Sequence, residues 1–135
     1  MTVVAWILVA LGVLALVLTQ VRLRAYSGRG GMTDIAPWIL DLHSLAGGVG
    51  LLLVALRLLD VHESGAAMWL AIVGLGLASL IGLSFLARWR RSVGRHAVEI
   101  AGDAWTSGPW LSRVAHYGMT LGTVFLAWAM LTDRI

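Results

Sequence analysis

The chain has 135 residues, of which 59% are hydrophobic and 13% charged, with a formal charge of +3. Soluble domains average about 45–50% apolar and about 25% charged, so the composition excludes a soluble globular protein, a disordered chain and a nucleic-acid-binding domain. All ten basic residues are Arg, and there is no Cys, which excludes disulfides, thiolate metal sites, iron–sulfur clusters and covalently attached c-type haem.

A hydrocarbon core about 30 Å thick needs about 20 apolar residues of helix. The first such stretch, 3–21, carries no charge. It has no basic leading region and no small-residue cleavage site, and Arg follows the apolar run, so it reads as a retained helix with its N-terminus outside. Ser27-Gly28-Arg29-Gly30-Gly31 then marks a flexible turn. The second span, 37–59, contains Asp41, His43 and Arg57, with Gly47, Gly48 and Gly50 clustered in it. The short connection 60–66 forces the second and third helices to be antiparallel neighbours. The third span, 67–87, is uncharged and carries the ridge Gly74, Ala78, Gly82, a spacing that lets helices approach closely in lipid. In the stretch 89–104, Trp89, Val93, Ala97, Ile100 and Ala104 recur at helical spacing. It reads as an amphipathic helix lying on the membrane surface, with Gly94 and Gly102 weighing toward a loop. The fourth span, 110–131, has Arg113 and His116 near its start. The whole chain, 1–135, is one transmembrane domain. Its fold class is all-α, an integral membrane four-helix up-and-down bundle, because lipid offers no partner for unpaired backbone groups.

Aromatic residues bracket the spans: Trp6 and Tyr26, Trp69 and Trp89, Trp110 and Trp128. Their separations along a helix amount to roughly 27–30 Å, the distance between two interfacial belts. Arg22, Arg24, Arg29, Arg88, Arg90, Arg91, Arg95 and Arg113 fall on one side of the bundle, and only Arg57 and Arg134 on the other. By the positive-inside rule both termini lie outside and both Arg-rich loops are cytoplasmic. The expected location is the inner (cytoplasmic) membrane of a bacterium, as a multi-pass protein.

Ionisable groups within a membrane are costly and mark functional sites by default. His43 lies five residues past Trp38 and His116 six past Trp110. These depths are about 7.5 Å and about 9 Å from the same side, so the two imidazoles share one level. In an up-and-down bundle the second and fourth helices are diagonal, and both rings can face one central cavity. Gly47 and Gly50 follow His43 at i+4 and i+7, on the same helical face, opening a slot beside the ring. Thr120 and Thr123 stand at the equivalent offsets from His116. One non-covalent haem b with His43 and His116 as axial iron ligands suits this arrangement, with Arg113 placed for its propionates. Interhelical hydrogen bonding and a proton or metal role remain the other readings of the pair. Zinc is disfavoured, since structural sites want four ligands. Asp60, His62 and Glu63 read as a solvated outer loop. Arg57 reads as reaching the outer interface, toward Asp60 or Glu63.

The run His43-Ser44-Leu45-Ala46-Gly47-Gly48-Val49-Gly50, ending in Leu56-Arg57-Leu58-Leu59, resembles the second helix of bacterial cytochrome b561-type four-helix membrane haem proteins. His43, Gly47 and Arg57-Leu58 occupy the places of that helix's His, its Gly at +4 and its Arg-Leu at +14. The resemblance implies a haem protein that moves electrons to or from quinone or a partner redox protein, with His43 a haem ligand. That family generally carries more intramembrane histidines and two haems. Here the first and third helices have no His, which limits the expectation to one bis-His haem.

Three functional readings follow. The first is a one-haem electron-transfer component, in place of a stand-alone catalyst. The second is a haem-free accessory or scaffold subunit of a larger respiratory complex, associated with other membrane subunits or with copies of itself. The third is a small transporter, disfavoured by the lack of Pro interruptions or an inverted repeat. Beyond the lipid bilayer, the expected partners are quinone and membrane protein subunits, with no nucleic acid.

Overall fold

The computed structural model describes residues 1–26, 36–61, 64–92 and 110–135. They form four helices: α1 (Thr2–Tyr26), α2 (Pro37–Leu58), α3 (Gly65–Ser92) and α4 (Trp110–Leu131). Each holds a segment long and apolar enough to cross a membrane, namely Thr2–Val21, Pro37–Leu58, Gly65–Ala87 and Arg113–Leu131. The all-helical, four-helix architecture agrees with the expectation from composition.

Local chemistry sets the helix ends. Pro37 opens α2 at a position where the missing N–H has no intrahelical acceptor to lose. α3 begins before its apolar run because Ser64 Oγ accepts the Ala67 N–H at 3.2 Å, a side-chain cap. Both α1 and α3 continue past their last apolar turn, since backbone hydrogen bonding does not stop where hydrophobicity does. Residues 89–92, expected to open a surface helix, therefore continue α3. The rest of that stretch, 93–104, lies outside the described residues, as do the turn 27–31, His62, Glu63 and His96.

α2 and α4 end alike. After α2, Val61 N–H bonds Leu56 O and Asp60 N–H bonds Arg57 O, both at 3.0 Å. After α4, Arg134 N–H bonds Ala129 O at 2.8 Å and Asp133 N–H bonds Met130 O at 3.3 Å. These are Schellman closures, with Asp60 (φ 55°) and Asp133 (φ 49°) in the left-handed position usually given to Gly. Arg57 joins the two ends. Its Nε donates to Ile135 O at 2.9 Å, and Nη2 lies 3.4 Å from Asp133 Oδ1. The cation expected to turn toward Asp60 or Glu63 thus reaches across to the end of α4.

The helices pack in a ring, α1 on α2, α2 on α3, α3 on α4 and α4 back on α1, which puts α2 diagonal to α4. Glycines set the close approaches. A Cβ on Gly74 would lie 2.9 Å from the Ala46 carbonyl oxygen, and one on Gly50 would lie 2.7 Å from Leu75 Cγ. One turn along, Ala78 Cβ stands over Gly47. α1 and α4 meet where Leu8 packs on Gly122 and Met119 on Gly12. The buried cluster of Ala5, Val9, Leu51, Val54, Ala71, Leu75, Leu126 and Met130 fills the half of the bundle that carries Arg57 and Asp133. Large side chains such as Val3, Leu45, Leu80 and Leu121 point outward and are exposed. Among the described residues no polar or charged residue falls in the buried class.

The two glycines on α3 provide a test of this packing. Gly74→Ala forces α3 off α2 and is expected to cost about 1–3 kcal/mol. Gly76, with open space around its Cβ position, should respond oppositely. Gly76→Ala is expected to be neutral or stabilising by up to about 1 kcal/mol through helix propensity. Thermal unfolding in detergent distinguishes the two.

Candidate functional site

His43 and His116 are each the seventh residue of their helix, α2 and α4. These helices run in the same direction on opposite corners of the ring, so equal counts bring the side chains to one level. The imidazole centroids are 6.2 Å apart and the rings are inclined by 16°. Phe85 of α3 meets the His43 ring edge-on at 5.7 Å and 66°. The backbone carbonyl of Ala78 approaches the same imidazole, and His43 Nδ1 is buried without a well-formed hydrogen bond.

A cavity of about 110 Å³ adjoins the pair and extends toward the apolar core. Small residues from all four helices make it: Gly12 and Ala15, Gly47, Ala78 and Ala115. Its polar wall is Thr19, Ser79 and Thr123. Ser79 Oγ and Thr123 Oγ1 are 3.1 Å apart, tying α3 to α4. Gln20 Nε2 donates to Ser44 Oγ at 2.9 Å and ties α1 to α2. Thr120 turns back on its own helix, donating to His116 O at 2.8 Å.

The residues singled out from sequence are not all at this cavity. His43, His116 and Gly47 line it. Gly50 faces α3, where Leu75 fills the space its missing side chain leaves. Arg113 is exposed, one turn before His116 and off the cavity wall. Gly82 of α3 was read as a packing residue and proves to border the rings. A Cβ there would lie 2.6 Å from His116 Cδ2, 3.3 Å from His116 Nε2 and 3.3 Å from His43 Cε1. Phe85 and Ser79 had no sequence signal beyond lying on the third span.

Metal–nitrogen bonds to imidazole are about 2 Å long, so two imidazoles binding one metal from opposite sides hold their centres roughly 6 Å apart. The observed 6.2 Å separation is of that size, between stacked rings. Among the described residues no three His, Cys, Asp or Glu side chains come together. Two protein ligands suffice only for a metal that brings further ligands of its own, as haem iron does. The enclosed space is tighter, since small-molecule sites span about 300–1,000 Å³. With α3 this close to both rings, a macrocycle seated between them requires α3 to draw back at Gly82.

The Ser79–Thr123 contact is open to measurement. A double-mutant cycle of Ser79→Ala and Thr123→Ala should give a coupling near 0.6 kcal/mol and no more than about 1.7 kcal/mol, the range for hydrogen bonds between membrane helices.

Comparison with protein-family models, with curated proteins and with solved structures finds no match to this chain, so its site is described by its own residues.

Proposed function

We propose that the protein is an integral membrane b-type haem protein that passes electrons to or from quinone or a redox partner. His43 of α2 and His116 of α4 are the residues that would hold one non-covalent haem b through its iron. The observation that carries this reading is the 6.2 Å separation of two near-parallel imidazoles contributed by diagonal helices. The resemblance of the His43–Leu59 run to cytochrome b561-type proteins supports it. The bundle spans the inner membrane of a bacterium, with both termini outside and the Arg-rich connections cytoplasmic, a topology supported by the Arg asymmetry.

Haem supplies one-electron chemistry at iron when bound, and its potential is set by axial ligands, local polarity and burial. The chain's own contribution is positional. α2 and α4 present one imidazole each at a common level. Gly47, Ala78 and Ala115 keep the adjoining space free of bulky side chains. Arg113, one turn toward the expected cytoplasmic face, supplies the cation for haem carboxylates. The apolar cluster around Leu51, Leu75 and Leu126 closes the cavity toward the opposite face.

Purified from haem-replete cells in mild detergent, the protein should show a Soret band. His43→Ala and His116→Ala should each abolish it, and imidazole added to His116→Gly should restore it in part. A colourless preparation overturns the proposal. If that protein also co-purifies with a larger membrane assembly, the haem-free accessory-subunit reading takes its place.

A further inference from the structure

We infer that Gly82 on α3 is a positioning residue of the histidine pair: its missing side chain is what lets the His43 and His116 rings, already at one level, stand side by side against α3.

The three small residues of the α3 ridge do different jobs. Gly74 lies against the Ala46 carbonyl and the Gly50 backbone, and Ala78 stands over Gly47. Both are contacts between helices. Gly82 comes one turn later. There, the three atoms nearest to an added Cβ are all imidazole atoms, and they belong to two different helices. No backbone intervenes. A gap of 2.6 Å to His116 Cδ2 is shorter than any carbon–carbon contact, so one methyl group at 82 must displace that ring. Toward α2 the His43 ring stands 6.2 Å away, centroid to centroid, so a displaced His116 ring leaves its place opposite His43 for the adjoining cavity. His43 is held in turn by Phe85 from the same helix as Gly82. A side chain at 82 therefore separates the pair, and it does so by volume alone.

Gly82's place in a cofactor site presupposes the haem reading of the pair, whereas its steric coupling to His116 does not. The test is a four-variant cycle on the full chain in detergent: the parent protein, Gly82→Ala, His116→Ala and the double variant, with Gly76→Ala as a control for helix propensity. Thermal unfolding and the absorption spectrum are both recorded. Gly82→Ala should lower the melting temperature by several degrees in the parent. In the His116→Ala background, where the clashing ring is gone, it should have no such effect. In the parent background the haem affinity, read from Soret titration, should fall roughly tenfold or more, the size of effect seen for residues that orient metal ligands. An equal penalty in both backgrounds, or none in either, overturns the inference and makes Gly82 a packing residue. A colourless parent with the coupling intact supports the role of Gly82 while removing the haem reading. A coloured parent without the coupling does the reverse.

Discussion

The close approach of α3 to α2 governs the rest of the bundle. In lipid there is no hydrophobic force between helices beyond what the tails already satisfy, so association depends on how nearly backbones can meet. Gly74 and Gly50 bring the two helices together where Ala46 O and Leu75 leave no room for a further carbon. That contact fixes the height of α3 relative to α2. Through it the levels of Gly82, Phe85 and His43 are set together. Through Ser79 and Thr123 the level of α4, and with it His116, is set as well. The facing of two imidazoles is thus a consequence of helix register.

Polar groups in the bundle follow the same economy. Gln20 bonds Ser44, Ser79 bonds Thr123, and Thr19 and Thr120 bond carbonyls one turn back on their own helices. Each satisfies a donor that a hydrocarbon surrounding would leave bare. His43 Nδ1 is the exception, buried and without a well-formed partner. The Ala78 carbonyl approaches that ring without completing a well-formed hydrogen bond.

Much of this was legible in the residues themselves. Helix number and approximate spans follow from the lengths of apolar runs, which depend on bilayer thickness and on nothing distant in sequence. The common level of His43 and His116 follows from counting residues from Trp38 and Trp110. What escaped was partner choice. Gly50 looked like part of a slot beside His43, yet Leu75 occupies its space, a fact of α3 register that α2 alone does not encode. Gly82 looked like the third member of a packing ridge because Gly marks close approach without saying to what. Arg57 looked directed at nearby acids, whereas it joins Asp133, on the diagonal helix. Local pattern reveals which face of a helix is special; only the assembled neighbours reveal why.

The two ends of the bundle are filled and tied differently. At one end, α2 and α4 finish in matching Schellman closures, Arg57 links them, and the apolar cluster lies directly beneath. Toward the histidines, a partly open cavity separates the helices, lined by small residues together with Leu16, Leu51, Leu75 and Met119. Because Arg57 ties the end of α2 to the end of α4, tilting one helix against another pivots near that end. A fraction of a degree of tilt there becomes a larger opening at the histidine level, because displacement grows with distance along the helix. Drawing α3 back at Gly82 about that end would also loosen the contacts of Gly74 and Leu75 with Gly50, because Gly50 lies midway between Arg57 and His43, so a wider site and a tight α2–α3 contact compete.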